Sequence, residues 1–267
     1  MSGPIVIKIG GTTLEDRASA PALWRALASL HASHAGGVVL VHGGGKAVDR
    51  HLDRLGFTTR RRDGIRITPP DQLDEITGVL AGRINKSVVG SLIAAGAKAV
   101  GLCLGDGQAV PTKKTDRYSF DPGRVGQIEI GVAEPGNLLR VLLSGGFLPV
   151  LSSIGIDPHG EFLNVNADDA AAGVAAMLKA EALVLLTDVS GILDGQKRLV
   201  PQADARRVDG MIESGEISGG MIPKARAAVE TARNIGAPVV ILSGNDPSAL
   251  SDWASGKLVG TRITPGA

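Results

Sequence analysis

The sequence predicts an α/β fold, a mostly parallel central sheet with helices on both faces. Three observations carry that prediction. Short β-rich runs alternate with longer helical stretches along the chain, which is the pattern of repeated βα units. Several of these runs are apolar throughout, as strands covered on both faces should be. The chain has 267 residues, 43% of them hydrophobic, enough for a substantial core and far from the composition of disorder. No repeat, low-complexity segment or linker interrupts it, so a single domain over residues 1–267 with two lobes is expected.

Ile5–Ile9 is the first strand, apolar except at Lys8. A helical pattern over Pro21–Ser33 leads to the strand Val38–Val41, and Lys46–Leu55 is the next helix. Asp71–Ala95 is the longest helix. In it Leu73, Ile76, Val79, Leu80, Ile84, Val88, Leu92 and Ile93 recur at helical spacing, with Pro69 and Pro70 before it and Gly96 after it as start and stop signals. Such a wide apolar stripe belongs in the centre of the core or in an interface, and two-fold pairing of like helices predicts a homodimer. Ala99–Leu104 is a strand, and Lys113–Gly136 reads as a loop or hairpin insertion. Helix Asn137–Ser144, strand Leu148–Leu151, helix Ala167–Leu178, strand Leu183–Leu186, helix Lys224–Ile235 and strand Val239–Leu242 complete the alternation.

Composition removes several function classes. With 28 Lys+Arg against 27 Asp+Glu the net charge is +1, without the basic excess of a nucleic-acid-binding domain. The single cysteine, Cys103, forms no internal disulfide and no Cys-based metal site, which fits a reducing compartment. The longest apolar stretch, Ala170–Leu178, falls short of the ~20 residues that span a bilayer. Met1–Gly10 is too short and wrongly flanked for a signal peptide. A soluble, cytoplasmic protein is expected.

In open α/β sheets chemistry gathers beyond the carboxyl ends of the strands. After the first strand comes Gly10-Gly11-Thr12, and after the second His42-Gly43-Gly44-Gly45. Either could be a tight βα turn. Two of them together, with Lys8 just before the first, fit one phosphate group, because glycine lets the backbone approach closely and helix starts favour anions. Lys8 could still be an edge-strand residue facing solvent. Three competing motifs fail. The chain has no G-x-S-x-G elbow to make His42-Gly43-Gly44-Gly45 an esterase oxyanion loop. Gly45-Lys46 and Gly256-Lys257 are followed by Ala47 and Leu258 rather than Ser or Thr, so no P-loop is present, and Gly105-Asp106-Gly107 has Val110 where a dinucleotide fingerprint needs glycine. Downstream lie Asn164-Val165-Asn166-Ala167-Asp168-Asp169, suited to a helix N-cap, Thr187 to Leu193 after the strongest strand, and Ser218-Gly219-Gly220-Met221-Ile222-Pro223-Lys224 entering a helix. A lysine at a helix start opposes the dipole, which implies an anion for Lys224 to bind.

These motifs, in this order and from Ile5 to about Thr264, resemble the amino acid kinase family, and within it the members that phosphorylate N-acetyl-L-glutamate. The resemblance also rests on Gly64-Ile65-Arg66-Ile67-Thr68, Ala81 to Lys86 and Gly101 to Gly107. It implies a three-layer αβα sandwich with an open, mostly parallel sheet. The N-terminal lobe, about 1–166, would take the amino-acid substrate and the dimer contact; the C-terminal lobe, about 167–267, would take ATP. The γ-phosphoryl of ATP would pass to the side-chain carboxylate of N-acetyl-L-glutamate, giving N-acetyl-L-glutamyl 5-phosphate in arginine biosynthesis.

By the same resemblance Lys8 and Lys224 would be the catalytic lysines, with Asp168 holding both. Gly10, Gly11 and Gly44 would contact the phosphoryl group. Gly44, Gly45, Arg66 and Asn164 would bind the acceptor, and Asp188, Val189, Ser190, Gly191, Ile192, Leu193, Gly219, Gly220 and Met221 would line the nucleotide site. Mg²⁺ would be held by the ATP phosphates and water, with no protein metal site. Arg60-Arg61-Arg62 reads as a solvated loop. Val125-Gly126 resembles the acetylglutamate-using members, although the longer Lys113–Phe120 segment leaves open a kinase for N-acetyl-aminoadipate or a related blocked acidic amino acid. A non-catalytic nucleotide- and amino-acid-binding regulator is a further alternative, opposed by the presence of Lys8, Asp168 and Lys224. The arginine-inhibited members carry an extra N-terminal helix that links dimers into a ring. Here the first strand begins by Ile5, so a homodimer insensitive to arginine is expected.

Overall fold

The computed structural model describes residues 2–15, 20–129, 136–217, 221–246 and 248–266. In chain order the first half runs β1 (Ile5–Ile9), α1 (Gly11–Glu15), α2 (Ala20–Ser33), β2 (Val38–His42), α3 (Gly45–Arg54), β3 (Arg60–Arg62), β4 (Ile65–Ile67), α4 (Pro70–Thr77), a π-helical segment (Gly78–Ile84), α5 (Asn85–Ala94), β5 (Ala99–Cys103), β6 (Thr112–Lys114) and β7 (Val125–Ile128). The second half runs α6 (Asn137–Ser144), β8 (Leu148–Ser152), β9 (Ile154–Ile156), β10 (Phe162–Val165), α7 (Ala167–Leu178), β11 (Ala182–Thr187), β12 (Gln202–Ala203), α8 (Ala205–Glu213), α9 (Met221–Ile235), β13 (Val239–Ser243), α10 (Ala249–Ala254) and β14 (Thr261–Ile263).

The main sheet has the order β12-β14-β13-β11-β1-β2-β8-β5. The six strands expected from the sequence lie side by side in it and are all parallel; β14 pairs antiparallel with β13. Alternation along each strand explains why both faces are apolar. Val6, Val39, Val41, Leu151, Leu183 and Val239 face a core completed by α7, α8 and α9. Ile7, Leu40, Val150, Val184 and Val240 face a second core with α2, α5 and α10. The αβα layering follows. Because β1 is central, Lys8 is not an edge-strand residue.

The structure refines the sequence reading in three places. Arg60-Arg61-Arg62 is solvated as expected but forms a strand, not a loop. It turns back onto β4 through Asp63 and Gly64, at φ 51° and 79°. Asp-Gly with positive φ at both positions makes a hairpin turn. In the Lys113–Gly136 stretch the hairpin alternative holds, and it is built into a second sheet. β6 and β7 pair antiparallel and join β10 and β9 in a four-stranded sheet of order β6-β7-β10-β9, while residues 130–135 lie outside the described ones.

The long helix is continuous but passes through seven π-helical residues. Extra residues in a helical turn rotate the face that follows. Leu73, Ile76, Val79 and Leu80 are buried, and the last three pack with Val48 and Leu52 of α3, whereas Val88 and Leu92 pack under the main sheet. Much of the stripe that suggested a dimer is therefore buried within the chain, with Ile93 left 57% exposed.

His42 ends β2 fully buried, and burial pushes its imidazole down to about 4 from 6.5, only partly opposed by its hydrogen bond to Gly43 O. The unfolded chain binds this proton below pH 6.5 and the folded one does not. The associated stability is complete above pH 6.5 and is lost as pH falls towards 4. Thermal midpoints followed by circular dichroism should drop between pH 6.5 and 4.5, and His42→Gln should flatten that part of the profile.

Candidate active site

Neighbouring strand ends bring the two glycine turns together. A Cβ built on Gly11 would lie 3.7 Å from Gly44 Cα. Gly11 opens α1, and Gly44 is the N-cap of α3. A side chain at Gly44 would have to displace Ile84, because a Cβ would lie 2.3 Å from Ile84 Cδ1. Among the described residues, neither the Gly44 nor the Gly45 N–H donates to another protein group, as is usual for the first amides of a helix.

Lys8 projects from the face of β1 that carries α7, and its Nζ lies 3.0 Å from Asp168 Oδ1. Asp168 is placed by the start of α7. There Asn166 Oδ1 accepts from the backbone N–H of Asp168 at 2.8 Å and of Asp169 at 3.2 Å, the geometry of an N-cap. Lys224 sits in the first turn of α9, and its Nζ lies 3.3 Å from Asp188 Oδ1. Hydrogen bonding from Lys224, then its charge, holds the Asp188 carboxyl below the usual range. The sequence reading had Asp168 between both lysines. Instead each lysine has its own carboxylate, because Asp188 follows β11, next to β1, and meets the start of α9.

These groups line a cavity of about 660 Å³ together with Gly10, Gly11, Gly45 and Met221. Of the run after β11, Asp188 and Val189 line it and the next four residues do not. Ser190 is exposed, Ile192 is buried in the core with its N–H on Thr261 Oγ1, and Leu193 bridges to Leu199. Gly191, at φ 147°, leaves no room for a Cβ beside Leu199 and Thr261. Gly219 and Gly220 lie outside the described residues.

A second cavity of about 170 Å³ gathers Gly44, Gly45, Arg66, Asn164, Val125 and Gly126. The two cavities share Gly45 and Arg61, and the neighbours Asp168 and Asp169 face one each. Arg66 is 8% exposed. Its Nη1 meets Asp49 Oδ1 at 2.6 Å and its Nη2 donates to Gly45 O at 3.1 Å. Asn164 Nδ2 donates to Thr68 Oγ1 at 3.0 Å, and Thr68 Oγ1 donates to Arg66 O.

Several contributors escaped the sequence reading. Asp49 lies between Arg66 and Arg61. Burial works to raise its carboxyl, and hydrogen bonds and charge from the two arginines more than offset that, leaving it lowered. Lys46 lines the larger cavity; it and Asp49 share one face of α3 at i, i+3, a signal that could have marked both. Arg117 and Tyr118 line the smaller cavity, and Arg117 pairs with Asp169 at 3.2 Å. Desolvation, above all, raises the Asp169 carboxyl. No local sequence signal links Arg117 to Asp169.

The family model for the amino acid kinase family matches residues 3–243. The chain belongs to the amino acid kinase family. It is 43% identical over 260 residues to the acetylglutamate kinase of Proteus mirabilis (strain HI4320), covering 97% of this chain and 98% of that protein. It is 40% identical over 264 residues to that of Yersinia pestis (strain Pestoides F), covering 99% and 100%. In fold it is similar to the crystal structure of N-acetylglutamate synthase from Neisseria gonorrhoeae complexed with coenzyme A and N-acetyl-glutamate. That match has a TM-score of 0.82 at 24% identity and covers 99% of this chain and 60% of that one.

The Asn166 cap carries an expected cost. Asn166→Ala should lower stability by about 1 kcal/mol and the thermal midpoint by about 2–4 °C, as read by calorimetry. Asn166→Asp should restore most of it.

Proposed function

We propose that the chain transfers the γ-phosphoryl of MgATP to the side-chain carboxylate of N-acetyl-L-glutamate, the acyl-phosphate-forming step of arginine biosynthesis. One observation carries the reading. A cavity holding Lys8 and Lys224 meets, at the glycine loop, a smaller cavity holding Arg66 and Asn164. The near full-length similarity to acetylglutamate kinases supports the choice of acceptor.

The acceptor carboxylate, with an ordinary pKa of ~4.3, is ionised at neutral pH and needs no general base. Its oxygen forms the new P–O bond while the bond from the γ-phosphorus to the bridging oxygen breaks, and ADP leaves. The barrier lies in bringing two anions together and holding the charge of the transferring group. Lys8 and Lys224 supply positive charge from separate segments, and the amides of the glycine turns add fixed dipoles. Asp168 and Asp188 keep the lysines in position. Arg66 suits a bidentate grip on the α-carboxylate. In this reading residues up to about 166 shape the acceptor side and the later ones shape the ATP side.

We also propose a homodimer in the cytoplasm. Among the described residues no helix is long and apolar enough to cross a membrane, and the only cysteine is buried and unpaired. β5 ends the main sheet, and Ile93 on the adjoining α5 is exposed. Light scattering should give twice 27.3 kDa; a concentration-independent monomer mass would refute the dimer.

ADP release measured across N-acetylglutamate, N-acetyl-aminoadipate, free glutamate and carbamate should give the highest kcat/KM for N-acetylglutamate, and another best acceptor would overturn the assignment. Lys8→Ala and Lys224→Ala should each lower kcat by about 10²–10³. Arg66→Ala should raise the KM of the acceptor and leave that of ATP nearly unchanged.

A further inference from the structure

The His42-Gly43-Gly44-Gly45 segment is gripped from several sides, and one grip has no role in the chemistry described so far. His42 is completely buried and, with Leu40, faces the opposite side of the sheet from Lys8. Its Nδ1 donates to Gly43 O at 3.0 Å, and its Nε2 accepts from Asn85 Nδ2 at 3.1 Å. Asn85 is completely buried as well. The same Nδ2 donates to Val150 O on β8 at 2.9 Å, and Lys86 Nζ approaches Asn85 Oδ1 at 3.4 Å and Gly101 O at 3.3 Å. A Cβ on Gly101 would lie 2.1 Å from Asn85 Oδ1, so this amide occupies space that only glycine leaves open. Asn85 is the residue directly after the π-helical segment, whose Leu80 and Ile84 rest on Gly44.

We propose that His42 and Asn85 are positioning residues that aim the Gly44 N–H at the transferring phosphoryl group, with the π-helical segment setting both the pair and the packing on Gly44. The inference rests on the phosphoryl-transfer reading of the site. The carbonyl of Gly43 and the N–H of Gly44 belong to one planar trans peptide unit and point in opposite directions. Fixing the carbonyl on His42 Nδ1 therefore fixes the direction of the Gly44 N–H. Arg66 does the same for the next plane but one through Gly45 O. Asn85, by donating to Nε2, leaves the proton of the neutral ring on Nδ1, where Gly43 needs it. Aim matters because a fixed donor stabilises the transition state only where charge develops, and small misplacements are expensive in rate.

The experiment compares His42→Asn, whose amide can place a donor near the Nδ1 position, with His42→Gln, whose amide reaches the Nε2 position instead. Leu92→Ala, fully buried on the same helix about two turns beyond Asn85, controls for lost stability. kcat and both KM values are measured where all variants are folded, alongside the NMR order parameters of the Gly43–Gly45 N–H bonds, which report how firmly each bond is held in direction. His42→Gln should lower kcat tenfold or more with KM changes under threefold, and should lower the Gly44 order parameter. His42→Asn should stay within threefold of the parent in kcat, and Leu92→Ala within twofold with unchanged loop order parameters. Equal losses in both His42 variants that track their thermal midpoints, or an unchanged Gly44 order parameter in His42→Gln, would overturn the proposal. Should the His42 variants fail to fold, Ile84→Val, which removes the methyl group resting on Gly44, must lower the Gly44 order parameter for the proposal to stand. The NMR arm needs no turnover. A parent enzyme inactive on every acceptor would refute the kinase reading, while the Gly44 order parameter would still decide the positioning.

Discussion

A cation in the central strand of the sheet is the constraint on which the rest of the site depends. Lys8 lies between β2 and β11 with its side chain 13% exposed, and a charge so placed is tolerated only with a partner. The partner has to come from the layer above, and Asp168 comes from the first turn of α7. That brings the start of α7 over the end of β1. The helix can sit so low because most of its buried face is small, with Ala170, Ala171, Gly173 and Ala175 beside Val174 and Leu178. A Cβ on Gly173 would lie 2.6 Å from Ile128 of β7, so the same small residues let the second sheet close against α7. The ion pair, the helix composition and the placement of the second sheet are one solution to one electrostatic problem.

The glycines extend this logic to the backbone. Parallel neighbours β1 and β2 end at the same level, so the turns after them stand side by side. Two short motifs some thirty residues apart then form one cradle. At Gly44 a side chain is opposed by the packing of the long helix and not by backbone conformation, since its φ is extended. The π-helical segment is what lets one helix do two jobs, packing on α3 at its start and under the sheet at its end, while its middle presses on Gly44.

Charge is distributed so that Lys8, Lys224, Arg61 and Arg66 are already held before any anion arrives. Lys8 has Asp168, Lys224 has Asp188, and Arg61 and Arg66 share Asp49. In the proposed reaction this pre-organisation is the main contribution of the protein, because the carboxylate nucleophile needs no activation by a base.

The fold class, the six central strands and the two glycine turns were legible in the sequence itself, with Lys8 and Lys224 singled out beside them, whereas Arg66 and Asn164 were marked by the family resemblance. Apolar strands flanked by helices and glycine at strand ends are local patterns, and local patterns follow from residue type. Much of what joins these parts was not legible. The partner of Lys224, the departure of Ser190 to Leu193 from the cavity, the pairing of Arg117 with Asp169 and the π-helical turn that sets Asn85 on His42 depend on which strands lie next to each other. Strand order is a property of the packed chain. Burial on both faces makes the six central strands equally apolar, so their sequences carry little information about their neighbours, and only the tertiary structure decides it.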